Sequence, residues 1–566
     1  MTQMADWTEA EANGILDTAW DEMKRATILP NAELPELDIP QFTPDEAQRR
    51  AGVGRDLLRR IAKLDRAALD PAASTAIGVA EEHARRWSRE ADWYYTVFEC
   101  GGWFKSMFAP TGDAIGRLTG SIVIELKRLG AEGAAAQERY LEAVKELARV
   151  IDQLRVRTVE QARQGIYMPR AMVEPAIGLL EGLKSTTIGQ IGAVPARTAD
   201  PAFGQRLDAL LQKEVSTAFD RFLAVIDGDY RRCASDRVGI GQYPGGAEIY
   251  QELIRQSTTL DVSAEEAHRR GHEQMAIVRA RMAEIASTQG FGTDVAAYRA
   301  HLDRDPRWRA KNADEITALF DRYISRMDAV VRAHFSLLPA AGHAAAPLPA
   351  ELEGTMSYGY YDQPRPGRPV GLYLFNTANF MGRGLFDVAA FTFHELVPGH
   401  HLHFATQQEN ASLHPLQRHT FCNGFNEGWA EYARWYAELI GMYHEPAEQF
   451  GSLFSDARQA SRLVVDTGLN VLGWDYEQAR AYMRETLMYP DAEVQSLIRW
   501  YACEIPAQSL SYKLCQMEML RLRQKAMAAM GPRFDPKAFH AAAVERGGRP
   551  FHLVEADIDR LIAAVA

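Results

Sequence analysis

Apolar positions recur at three- and four-residue spacing over most of the chain, a period that predicts helices. Residues 79–100, 113–130, 134–165 and 205–230 are rich in Ala, Leu, Glu and Arg with this spacing. Thr43 followed by Glu46, and Ser263 followed by Glu266, read as capping boxes, so helices are expected over 44–66 and 263–288. The Ala/Pro-rich stretch 338–350 reads as a linker or exposed loop. Between 354 and 377 the pattern changes: 358–361 and 370–376 have strand composition, with a Pro/Gly/Arg turn at 362–369 between them. Helical spacing returns from 386 onward, broken near Gly473, Pro490 and Pro532. The predicted class is mainly α, a large multi-helix fold enclosing a cleft, with a small sheet or hairpin. The expected organisation is an N-terminal helical region, 1–236, and a catalytic region, 237–566, with one intertwined domain as the alternative.

Composition narrows the function. Lys and Arg number 63 against 75 Asp and Glu, a net charge of −12, and no basic stripe stands out, which argues against a nucleic-acid partner. The N-terminus lacks a basic and then apolar leader, and no apolar run approaches the roughly 20 residues that span a bilayer, so a cytoplasmic protein without a membrane partner is expected. Five scattered cysteines give no disulfide framework. The sequence leaves the oligomeric state open.

The chemistry concentrates in residues 391–403, Phe-Thr-Phe-His-Glu-Leu-Val-Pro-Gly-His-His-Leu-His. A zinc hydrolase needs neutral imidazoles on the ion and a carboxylate beside them, usually as H-E-x-x-H on one helical face. Here Pro398 occupies the fourth position after His394, and the next histidine is His400. On an ideal helix that pair lies about 240° apart, and His394 and His401 are separated by roughly 10.5 Å of rise, so neither pair can share an ion. Pro398 would clash with the His394 carbonyl, and Gly399 permits unusual backbone angles. A bulge at Pro398-Gly399 is therefore expected to bring His400 beside His394, with His401 as the substitute ligand. Residues 426–431, Asn-Glu-Gly-Trp-Ala-Glu, lie in a helical run from 425 to 440 that is apolar on much of its circumference. Glu427 is expected to be the third ligand of one Zn2+, and Glu431, one turn later, to orient a ligating histidine. Glu395 is the candidate base.

Together the two motifs resemble the domain-of-unknown-function 885 family, and the likeness extends to Tyr243–Gly246, Ser461–Gly468 and Pro506–Lys513. The resemblance implies a mainly helical, zincin-like fold with a gluzincin-type site: His394, His400 and Glu427 on the metal, Glu395 as base. It suggests a mechanism more than a substrate. Leu469-Asn470 departs from the histidine expected after Asp-Thr-Gly in many relatives, which points to altered specificity.

Tyr512 and Lys513 are candidates for oxyanion or substrate-carboxylate contact. Arg462 and Asp466, at i and i+4, form either an internal salt bridge bracing the site or, through Arg462, a fork for a substrate carboxylate. Tyr373 and Asn376, on the second strand, are candidate substrate contacts by edge pairing. His401 and His403 are expected behind the ligands or in the core. The leading expectation is a zinc-dependent hydrolase of amide bonds acting on short peptides. The alternative is an amidohydrolase or lyase acting on a modified amino acid or small metabolite.

Overall fold

The computed structural model describes residues 2–29, 32, 37–100, 104–349, 358–365 and 367–565. Helices α1 (Thr2–Ala26), α2 (Pro44–Ile61) and α3 (Pro71–Ser88) form one corner, followed by the long α4 (Ala134–Arg163). The cap of α2 is half of the expected box: Thr43 Oγ1 accepts from the Glu46 N–H, while the Glu46 carboxylate takes Arg49. The chain leaves the helix at Ser88, so the stretch expected to be helical as far as 100 instead ends in turns and a two-residue strand.

Beyond further helices between residues 170 and 233 come α5 (Gly246–Thr258) and α6 (Ala264–Thr288), the latter capped by Ser263 as the sequence predicts. Helix α7 (Ala313–Asp328) then packs on a three-stranded sheet of β1 (Gly342–Pro347), β2 (Gly359–Asp362) and β3 (Val370–Phe375). β3 is central, parallel to β1 and antiparallel to β2. β1 corrects the expectation of a linker at 338–350. Its residues are mostly alanines, poor strand formers in isolation, and their pairing with β3 is imposed by tertiary context.

Five later helices hold the site: α8 (Val388–Glu395), α9 (His400–Glu409), α10 (Asn423–Leu439), α11 (Pro446–Asn470) and α12 (Leu510–Met530). α6 lies along α11 at close range because Gly271 has no side chain; a Cβ there would sit 2.7 Å from Val464 Cγ2. One apolar core runs through residues from Ile28 to Leu514, joining both ends of the chain. A second, built from Phe391, Phe393, Phe425, Trp429, Tyr432 and their neighbours, surrounds the histidine motif. Every residue of α10 from Asn423 to Arg434 is buried, so its carboxylates are held inside the protein.

Candidate metal centre

The predicted bulge is in fact a full break. α8 stops at Glu395, four residues form a turn, and α9 begins at His400. The Val397–Pro398 peptide within the turn is cis. Gly399 lies directly on the end of α8: a Cβ there would be 1.8 Å from the His394 carbonyl oxygen. Trp429, from α10, donates its indole N–H to the Pro398 carbonyl at 3.0 Å.

The break brings the histidines together. Their rings meet edge-on with centroids 4.8 Å apart. Glu427 Oε2 lies 3.6 Å from His394 Nε2 and 3.4 Å from His400 Nε2, and each of the three residues has a ligand atom within 4.8 Å of the others. For Zn–N and Zn–O bonds of about 2.0–2.1 Å, a tetrahedral arrangement puts neighbouring ligand atoms about 3.3–3.4 Å apart. Glu427 Oε2 is buried and accepts no hydrogen bond, an arrangement that costs free energy without a partner. The donor set therefore fits a zinc ion.

Electrostatics agree with the geometry. Burial alone would push the His394 imidazole down, but Glu427 and Glu431 outweigh it and hold it up at about 10. Burial would raise Glu427, yet His400 and His394 pull it down to about 2. The centre thus attracts positive charge.

Both histidines are held from behind. Glu431 Oε1 stands 3.0 Å from His394 Nδ1, as expected from the sequence. That carboxylate also accepts from Gln459 at 2.9 Å and from Arg434 at 2.7 and 2.9 Å. His400 Nδ1 shares a proton with His403 Nε2 at 3.1 Å. The residue behind His400 is therefore His403 and not His401. His401 points away, toward the Ala341 carbonyl at 3.0 Å and the Tyr361 hydroxyl at 2.9 Å, and fastens α9 to the sheet.

Glu395 differs from everything around it: it is the one residue from Gly384 to Gln407 that is not buried. It makes no hydrogen bond to another described residue. Partial enclosure still desolvates its carboxyl and raises its pKa above the ordinary value, against the pull of His394 and His400. Tyr512 stacks on His394 at 6.2 Å with the rings 13° from parallel. Burial, followed by the Glu427 charge, keeps its hydroxyl protonated.

Other candidates have different roles. Lys513 is buried and bound to Asp456 at 2.7 Å and Gln516 at 2.9 Å, closing a chain from Glu431 through Arg434 and Asp456. It is not free for substrate. Arg462 and Asp466 do not pair. Asp466 already accepts from Tyr250, Asn470, Ser509 and the Ala507 N–H at 2.6–3.1 Å, which braces α5 and α11 against the start of α12, away from the ligands. Arg462 turns instead to the Tyr501 hydroxyl at 3.3 Å and to the faces of Trp500 and Tyr512. Tyr373 is fully buried with its hydroxyl on the Tyr358 carbonyl, and Asn376 caps the helix Thr377–Met381. Both secure the sheet; neither presents itself to a substrate. Asn470 is likewise buried, bound to Asp466 and to the Tyr501 carbonyl.

Arg434, Asp456 and Gln459 escaped the sequence reading. The i,i+3 spacing of Glu431 and Arg434 was the available signal. A cleft lined by His83, Phe104, Phe421, Asn423 and Gln508 opens at the start of α10, one turn before Glu427.

Two solved structures share this fold. A "putative lipoprotein" from Colwellia psychrerythraea superposes with a TM-score of 0.86 at 22% identity, covering 98% of this chain and 99% of that one. A "putative lipoprotein of unknown function" from Shewanella oneidensis gives 0.70 at 16% identity, with the same coverage of 98% and 99%. A comparison with curated proteins finds no match. A family model described as "Bacterial protein of unknown function (DUF885)" matches residues 29–558, and the chain belongs to that family.

Proposed function

We propose that the protein is a zinc-dependent hydrolase of amide bonds with a gluzincin-type site, acting on short peptides. The observation that carries this reading is the convergence of His394, His400 and Glu427 on one point, with Glu427 Oε2 buried and unbonded.

A zinc ion held there supplies Lewis acidity toward a carbonyl oxygen and lowers the pKa of water. Glu395, raised in pKa and partly exposed, takes a proton from the attacking water and returns it to the departing amine. Tyr512, protonated and stacked on His394, donates a hydrogen bond to the oxyanion. Glu431 and His403 fix the ring orientations of His394 and His400, leaving both Nε2 atoms facing Glu427.

Metal analysis of the purified protein should find about one zinc per chain, a stoichiometry lost in His400→Ala. Glu395→Gln should keep the zinc and lose about 10²–10⁴ in turnover on a library of dipeptides, N-acyl amino acids and simple amides. Failure to bind zinc, or unchanged turnover in Glu395→Gln, overturns this reading.

A further inference from the structure

We propose that Arg458 and Arg462 form a subsite for a free carboxylate on the substrate, so that the amide hydrolysed is the one adjoining a C-terminal carboxyl group. This rests on the hydrolase reading above and supplies its substrate class.

The two arginines lie one turn apart on α11, and neither forms an ion pair with a carboxylate among the described residues. Arg458 is 7% exposed; its Nη2 donates to Ser455 Oγ at 3.2 Å, and its Nε is buried without a partner. Among the described residues Arg462 hydrogen-bonds the Tyr501 hydroxyl alone, and its Nη1 is buried and unbonded. Other buried arginines have acid or carbonyl partners: Arg50, although its Nε and Nη2 make no hydrogen bond, lies 3.4–3.9 Å from Glu22, Glu46 and Glu90. Arg434 is neutralised by Glu431 and Asp456, and Arg549 by Asp557. Arg157 spends its donors on the carbonyls of Tyr94 and Met107 and on Gln161. Two adjacent guanidinium groups, desolvated and without acid partners, call for an anion.

Their position says which anion. The Arg462 guanidinium lies 4.1 Å from the Tyr512 ring, which itself stacks on His394. Arg458 lies 4.9 Å from the ring of Phe391, one turn before Glu395 on α8. Each arginine is therefore joined to the metal centre through one aromatic ring, Tyr512 or Phe391, and the planar fork of arginine matches a carboxylate. In the reaction the C–N bond breaks, the water oxygen joins the acyl carbon, and the freed amine carries the anchored carboxylate away.

The test uses the full-length, zinc-loaded protein carrying Glu395→Gln, which prevents turnover. It is titrated by calorimetry and saturation-transfer NMR with the N-acetyl derivatives of the common amino acids and with their carboxamides. The acids should bind at least about tenfold more tightly than the amides. Arg462→Gln should abolish that preference, and Arg462→Lys should restore part of it. Arg458→Gln tests the more buried group, with its fold checked by thermal melting; if it does not fold, Arg462→Gln carries the test. Equal affinity for acids and amides, binding of neither, or an unchanged preference in Arg462→Gln overturns the proposal. Zinc titration of the same samples separates the two readings. Acid preference without stoichiometric zinc keeps the anion subsite and removes the hydrolase; stoichiometric zinc without acid preference does the reverse.

Discussion

The indole N–H of Trp429 donates to the Pro398 carbonyl at 3.0 Å, tying the turn between the helices of His394 and His400 to the helix that carries Glu427. Trp429→Phe keeps an aromatic ring, though a smaller one, and removes this bond from a buried carbonyl. The expected loss is about 1–3 kcal/mol of stability in urea denaturation, with weaker zinc binding. Wild-type zinc affinity in this variant would show that the turn needs no such tie.

Gly399→Ala places a methyl group 1.8 Å from the His394 carbonyl oxygen, where only backbone movement can relieve it. The variant should lose several kcal/mol of stability and its stoichiometric zinc. Folding and metal content equal to wild type would mean that the turn adapts.

Glu431→Gln removes the charge facing His394 Nδ1 while keeping the shape of the side chain. Zinc affinity should fall by about 10- to 100-fold, read by competition with a chelator. Arg434 would be left with Asp456 as its remaining carboxylate, so a modest loss of thermal stability should accompany the change.

Acid should weaken the fold through two buried histidines whose bonds go elsewhere, His83 to Thr420 and His540 to Tyr432. Burial depresses His83 and His540 to about 3, below the ordinary 6.5. A depressed pKa means that the unfolded chain takes up protons the folded one refuses. The stabilisation is therefore present above 6.5 and lost as pH falls toward 3. Each should cost about 2 kcal/mol between neutral pH and about pH 5. The slope of stability against pH should be shallower in His83→Gln than in wild type, and equal slopes would remove His83 from this account.

How legible the molecule was depends on the range of the interactions involved. Capping by Thr43 and Ser263 is local, and both helices start where the side chains place them. The convergence of His394, His400 and Glu427 was legible because Pro398 and Gly399 announce a break and Glu427 sits in an apolar helix. The alanine strand β1 was hidden, since nothing in Gly342–Pro347 favours a strand until β3 lies beside it. Arg462 and Asp466 show a different limit. Their spacing allows a pair, but four donors from distant elements satisfy Asp466 first. Tyr373 and Lys513 were misplaced for the same reason: their polar atoms are claimed by groups far away in sequence.

Helix α10 acts as a single gauge for the whole centre. Glu427 faces both histidines, Glu431 sets the first of them, and Trp429, on the opposite face, sets the turn from which the second emerges. Drift in the surrounding helices would therefore displace all three references together and leave their mutual spacing intact. A redesign for a different ion would change residues 427 and 431 on this one helix and leave the two histidines in place.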